Sequence, residues 1–130
     1  MRTAVNAAII NSGRLLVVKK REVWILPGGK PEEGEKDSGC LEREVMEELS
    51  GTKIKIQRFY STFRGKTPHK GDILEARVYF CSLNGELKSP SAEIDDVTWI
   101  NYNESQQYPL SDISRKIVDK LHEDYNFTSF

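Results

Sequence analysis

Residues 26–51 read LPGGKPEEGEKDSGCLEREVMEELSG. The short apolar run Val23 to Leu26 stops at Pro27, Gly28 and Gly29, where a strand can neither continue its ladder nor pack side chains. A loop therefore begins there. From Asp37 to Leu49 the pattern turns helical, with Leu41, Val45 and Leu49 spaced i, i+4, i+8 along one face and Asp37 or Ser38 available as the cap. Glu44, Glu47 and Glu48 occupy i, i+3 and i+4, so three carboxylates share a face beside that apolar stripe. Each exposed like-charge pair costs roughly 0.2–0.5 kcal/mol, and burying the cluster unpaired costs far more. A cation must compensate it. Arg43 lies within the same turn, but only a divalent metal satisfies several carboxylate oxygens at once, and hard oxygen ligands select Mg²⁺ or Mn²⁺ over zinc. A solvated charged face is the ordinary alternative for an arbitrary Glu-rich helix.

Outward from this segment, Thr3 to Ile10 and Leu15 to Lys19 are apolar runs joined by the turn residues Asn11, Ser12 and Gly13, which predicts an opening hairpin. Ile54 to Phe63, Ile73 to Leu83 and Val97 to Asn101 read as further strands. Asn84-Gly85 is a hairpin signal, and Arg64 to Asp72 reads as a long exposed loop. Ser111 to Tyr125 carries an apolar stripe of Ile113, Ile117, Val118 and Leu121, with Ser111 or Asp112 as N-cap. The fold class is α+β, one mixed, largely antiparallel sheet with two main helices.

The chain of 130 residues accommodates one domain, residues 1–130, with a real core. Lys+Arg 19 against Asp+Glu 20 leaves no global field toward nucleic acid or an anionic membrane, so specificity resides in a local site. MRTAVNAAII runs straight into polar NSGR, unlike a secretory signal, and no segment approaches the ~20 apolar residues of a membrane span. Cys40 and Cys81 are isolated and read as reduced core residues, so a cytoplasmic location is expected. Asn126-Phe127-Thr128 spells a glycosylation sequon, which is read as chance. Tyr125 to Phe130 packs either on its own sheet or on a second subunit, leaving a homodimer open.

Gly29, five residues, Glu35, seven residues and then Arg43-Glu44-Val45-Met46-Glu47-Glu48, preceded by Leu26-Pro27-Gly28, closely resemble the signature box of the Nudix hydrolase family, which includes MutT-like enzymes. Six such positions coincide by accident on the order of once in ten thousand sequences of this composition. The Glu93-to-Trp99 run before a late strand is also similar to the family. One departure lies at the helix end, where the family places a glycine and then an aliphatic residue: here Ser50 and Gly51 stand, and Gly51 is expected to end the helix one residue later.

The resemblance implies an α/β/α sandwich that binds Mg²⁺, or Mn²⁺ in its place, and cleaves a diphosphate linkage. It implies that Glu44 and Glu48 ligate metal, that Glu47 either ligates or orders the bound water, and that the Gly28 carbonyl is a further ligand. The general base is left among Glu44, Glu48 and Glu93, and Glu35 is expected to orient the loop through Arg43. Arg21, Trp24, Gly29, Lys30 and Asp112 are the expected substrate contacts. Asn6 and Asp112 are candidates to hydrogen-bond a base, Asp112 by positional analogy to purine-reading residues near the last helix in oxidised-nucleotide sanitising members. Lys19, Lys20, Arg64, Lys66, His69 and Lys70 are candidate phosphate contacts, and Phe63, Tyr79 and Tyr108 join Trp24 as candidate stacking aromatics. For each of these the commoner role is surface charge or core.

The expected substrate is a small nucleoside diphosphate derivative, foremost a nucleoside triphosphate, standard or oxidised, cleaved to monophosphate and pyrophosphate. ADP-ribose, a nucleotide sugar or a dinucleoside polyphosphate is the alternative within the enzyme class. A nucleotide-sensing domain without turnover is the alternative of another class, and retention of all three glutamates weighs against it. Nucleic acid is not an expected partner, since no basic and aromatic cluster is present.

Overall fold

A computed structural model describes residues 2–127; Met1 and residues 128–130, and with them Thr128 of the sequon and the last three residues of the aromatic tail, lie outside the described residues. The strands are β1 (Arg2–Asn11), β2 (Arg14–Lys20), β3 (Val23–Ile25), β4 (Gly28–Gly29), β5 (Ile54–Lys66), β6 (Ile73–Leu83) and β7 (Asp96–Ile100). The helices are α1 (Asp37–Glu48), α2 (Tyr102–Ser105) and α3 (Asp112–Tyr125).

The sheet runs β3-β2-β1-β6-β5, with β4 on β1 and β7 on β2. β1 and β6 are parallel, from Arg2↔Leu74 to Ile9↔Cys81, while the other pairings are antiparallel. The opening hairpin forms as expected, but β1 and β2 pair only at Ile10↔Leu15 and Asn11↔Arg14. Beyond that point they part, and β4 pairs with the rest of β1 at Val5↔Gly29 and Asn6↔Gly28. That divergence opens the sheet next to the glycine loop.

Period-2 alternation along the two strands makes the sandwich. Leu15 and Val17 of β2, with Ala8 of β1, pack with Ile113, Ile117, Val118 and Leu121 of α3. Leu16 and Val18, with Val5, Ala7 and Ile9, pack with Cys40, Leu41, Val45 and Leu49 of α1. Two-sided burial explains why both strands read as nearly continuous apolar runs. Ser111 caps α3 as expected, its side chain accepting from Ser114 N at 3.1 Å.

Several local expectations need correction. β5 continues through Lys66, because Arg64, Gly65 and Lys66 pair with Glu75, Leu74 and Ile73, leaving only a short turn closed by Thr67 N donating to the Asp72 carbonyl at 2.9 Å. Asn84-Gly85 joins no hairpin: Asn84 N donates to the Lys53 carbonyl at 2.8 Å, and an irregular stretch crosses to β7. α2 is an extra turn of helix held by a capping box between Asn101 and Glu104.

Neither Asp37 nor Ser38 caps α1; its N-cap is Lys36, without a side-chain bond. The Asp37 carboxylate is instead drawn to β6, where it accepts from Arg77 Nε and Nη2 at 2.8 Å each and from Tyr79 Oη at 2.7 Å. The Arg77 bonds foremost, helped by Tyr79, hold its carboxyl below the usual aspartate range. A carboxylate depressed on folding adds stability above the unfolded aspartate pKa of ~3.9, and that stability is lost as pH falls through the lower folded value. Asp37→Asn is therefore expected to lower unfolding free energy by about 1–2 kcal/mol at pH 7. Urea titrations at several pH values check it: the gap between the two proteins stays constant near neutrality and closes in acid.

Candidate active site

The second half of α1 passes beneath the glycine loop. Gly28 N donates to Glu48 Oε1 at 3.0 Å in a buried bond, and Glu48 is only 8% exposed. Burial pushes its carboxyl up to about 8, with the charges of Glu44 and Glu47 adding to the rise, while the Gly28 bond and Lys20 oppose it. The site thus holds more negative charge than it comfortably solvates.

Both glycines are dictated by close approach. At Gly28, φ is +144°, and a Cβ would stand 2.1 Å from the Val5 carbonyl oxygen. At Gly29 a Cβ would stand 2.4 Å from the Glu44 carboxyl carbon, so that carboxylate lies directly over the loop backbone.

Arg43 organises the acidic face. Its Nε and Nη2 bond the two Glu35 oxygens at 2.8 and 2.9 Å, a fork that holds loop to helix in the way expected of Glu35. The remaining Nη1 reaches Glu44 Oε1 at 2.8 Å and Glu47 Oε1 at 3.5 Å. The Arg43 fork foremost, helped by Glu32 N donating to Glu35 Oε1 at 2.9 Å, holds the Glu35 carboxyl down to about 2. Among the described residues no three His, Cys, Asp or Glu side chains are gathered closely enough to hold an ion as they stand. Arg43 takes the oxygens of Glu44 and Glu47 instead.

Glu44, Glu47 and Glu48 line one cleft of about 650 Å³ together with Gly28, Gly29 and Lys30. Glu93 lies at the same cleft, 69% exposed, with Lys20 Nζ 2.8 Å from its Oε2. Arg21 also lines it, from a two-residue β2–β3 turn in which Arg21 (φ 49°) and Glu22 (φ 68°) are both left-handed, the type I′ geometry that glycine and asparagine ordinarily supply. Lys66, His69 and Lys70 close the cleft from the β5–β6 turn. The chain therefore gathers carboxylates and basic side chains around one opening.

Two expected substrate contacts lie elsewhere. Trp24 is 7% exposed and sits in the α3-side core, its ring edge-on to Tyr108 at 5.2 Å. Strand alternation turns its neighbours Val23 and Ile25 into the cleft instead. Asp112 is not among the lining residues: its carboxylate accepts from Lys66 N at 2.9 Å and pairs with Lys116 at 3.6 Å, tying α3 to β5. Ser111, Ile113 and Ser114 line the cleft in its place. Phe63 is core, Tyr79 bonds Asp37, and Arg64 pairs with Glu75 at 2.8 Å. Asn6 does line the cleft, with its Nδ2 donating to the Leu26 carbonyl at 3.0 Å.

A glycine loop closing on an acidic helix, beside a cation-rimmed cleft in an α/β/α sandwich, is the architecture of a hydrolase of diphosphate linkages. The chain belongs to the NUDIX domain family, whose model matches residues 1–121. It is 31% identical over 134 residues to the nucleoside triphosphatase NudI of Escherichia fergusonii, covering 90% of this chain and 94% of the relative. The NudI protein of an Escherichia coli strain is 30% identical over 133 residues, with the same coverage. Two solved structures share the fold. The MutT NUDIX hydrolase of Burkholderia pseudomallei has a TM-score of 0.75 at 23% identity, covering 92% of this chain and 97% of that one. The MutT protein of Methanosarcina mazei Go1 has a TM-score of 0.79 at 20% identity, covering 95% and 94%. The protein is a Nudix hydrolase, of a family that in general depends on a divalent metal.

Gly29→Ala tests the loop geometry. Its backbone conformation suits alanine, but the added methyl displaces the Glu44 carboxylate. A loss of about 100-fold in kcat/KM is expected, in line with the cost of misplacing a catalytic group by an ångström, with a far smaller change in Tm.

Proposed function

We propose that this chain hydrolyses nucleoside triphosphates, standard or oxidised, to the monophosphate and pyrophosphate, with Mg²⁺ held by Glu44, Glu47, Glu48 and the Gly28 carbonyl. The observation that carries the reading is the buried Glu48 carboxyl, bonded to Gly28 N of the glycine loop on the same helix as Glu44 and Glu47, a gathering of carboxyl oxygens that suits a hard divalent cation. The likeness to NudI nucleoside triphosphatases over most of both chains supports the substrate class.

When bound, the cation would neutralise the diphosphate and lower the pKa of an attacking water. To hold such an ion Glu44 and Glu47 would give up part of their contact with Arg43, which would remain on Glu35 and the Lys30 carbonyl, where it keeps the loop on the helix. Arg21 and Lys30, together with Lys20, draw in and orient the phosphates, and the Gly29 backbone lies against them in the same wall. Val23 and Ile25 supply an apolar surface for the nucleoside, while Ser111 and Ser114 offer hydroxyls to its polar edge. Glu93 is the acceptor for the water's proton: Glu48 is committed to Gly28 and Glu44 to the metal, whereas Lys20 keeps Glu93 ionised at the rim. A single unit spanning residues 1–130, acting on a small molecule in the cytoplasm, completes the reading. Two free cysteines and no helix among the described residues long and apolar enough to cross a membrane are compatible with it.

A Mg²⁺-dependent screen across nucleoside triphosphates, nucleotide sugars, ADP-ribose and dinucleoside polyphosphates, with products separated chromatographically, tests the proposal. Monophosphate and pyrophosphate from triphosphates are expected. Glu48→Gln is expected to lower turnover by about 100-fold or more, the scale of losing one electrostatic stabiliser, while circular dichroism shows the fold retained. Undiminished activity in that variant would remove Glu48 from the metal site, and preference for ADP-ribose or a dinucleotide would reassign the substrate.

A further inference from the structure

The end of α1 is built in an unusual way. Gly51 N donates to the Met46 carbonyl at 2.7 Å, the long bond of a Schellman motif. The shorter bond of that motif would run from Ser50 N to the Glu47 carbonyl. The Ser91 hydroxyl stands between them: it accepts from Ser50 N at 3.1 Å and donates to the Glu47 carbonyl at 2.5 Å. Ser91 N donates to the Glu48 carbonyl at 2.8 Å, and Ser50 Oγ donates to the Ser89 carbonyl at 2.7 Å. Open carbonyls of the helix end are thus satisfied by the loop that carries Glu93.

That loop is fixed on its other side as well. Ile94 is 6% exposed and packs in the core with Val45 and Leu49, and Asp95 N donates to the Lys19 carbonyl at 2.8 Å. Glu93 is held between these two anchors. Since Ser91 grips the backbone of Glu47 and Glu48, the position of Glu93 is set relative to the residues that form the acidic site.

Backbone conformation argues that the latch is more than a helix terminator. Ser50 (φ 47°) and Ala92 (φ 56°) are both left-handed non-glycine residues, a conformation that costs of order 1 kcal/mol or more. Glycine at position 50, the residue of the family box, would end the helix at lower cost. What serine adds there is its hydroxyl bond to the loop.

We propose that Ser50 and Ser91 are positioning residues that latch the Glu93 loop to the acidic end of α1 and thereby hold Glu93 at the cleft. This inference rests on the reading of Glu93 as a participant in hydrolysis.

The test combines Ser50→Gly, Ser91→Ala, Ser91→Thr and Glu93→Gln, together with the Ser91→Ala/Glu93→Gln pair, in the full chain. Ser91→Ala is expected to lower kcat about tenfold with KM little changed, and Ser91→Thr to restore it. Ser50→Gly is expected to lower kcat while Tm holds or rises, because the backbone strain is relieved. In both lowering variants amide hydrogen exchange of residues 89–93 should accelerate in the substrate-free protein. On the Glu93→Gln background Ser91→Ala should cost nothing further, the non-additivity expected of residues acting as one unit. If Glu93→Gln lowers kcat but Ser50→Gly and Ser91→Ala do not, or if the double variant is additive, the latch is overturned and the role of Glu93 stands. If Glu93→Gln leaves kcat unchanged, the underlying reading fails and the latch proposal falls with it.

Discussion

The contact on which the rest of the site depends is the buried bond from Gly28 N to Glu48. Glu48 belongs to α1, and Gly28 is half of the two-residue β4, paired to β1 at Asn6. One carboxylate therefore ties a helix to a loop and, through the loop, to the sheet. Stability alone is a poor reason for it. Burial drives the carboxyl toward its neutral form, and Glu44 and Glu47 drive it further in the same direction. A protein selected only for a stable core would place an apolar residue beside Leu41, Val45 and Leu49. The carboxyl is retained in a surrounding that its ordinary chemistry resists, part of an excess of acidic groups on one helix face.

Arg43 shows how the fold tolerates that excess. Its guanidinium spans Glu35 of the loop and Glu44 and Glu47 of the helix, so one fixed fork neutralises charge on two elements at once. A lysine offers no comparable bidentate geometry to Glu35. The acidic face is consequently held by an existing network of bonds between loop and helix.

The sequence carried most of the sandwich and most of the acidic site, for reasons that differ by element. α1 was legible because Leu41, Val45 and Leu49 repeat at helical spacing, and the glutamates could be placed on a common face by the same geometry. The two layers were legible less directly: alternation on β1 and β2 is hidden because both faces are apolar, and only the structure assigns Leu15 and Val17 to one side and Leu16 and Val18 to the other. The core placement of Trp24 was not legible, because a three-residue strand contains too little pattern to say which face is inward. The bond that holds the Asp112 carboxylate was not legible, because its partner, Lys66 N, belongs to a strand end that looked like loop. The helix terminus was read one residue late: Ser50 takes the left-handed conformation at the glycine position of the family box, supported by partners some 40 residues away that no local rule reveals.

The same β3 segment that misled the reading explains how so small a chain fits a core and a cleft on one sheet. Val23 and Ile25 face the cleft, while Trp24 fills the core between them and accepts neighbours from the last part of the chain: Trp24 N donates to the Pro109 carbonyl and Ser111 N donates to the Trp24 carbonyl. The residues just before α3 are thereby seated beside β3, and Ser111, Ile113 and Ser114 join the cleft wall from the helix start. The Trp24 backbone is therefore indirectly part of the site. It contributes no contact of its own to the cleft, but it sets the distance between the strand that supplies the apolar wall and the helix that supplies the hydroxyls. Strand alternation, which keeps Trp24 out of the cleft wall, is also what lets one short strand organise both surfaces.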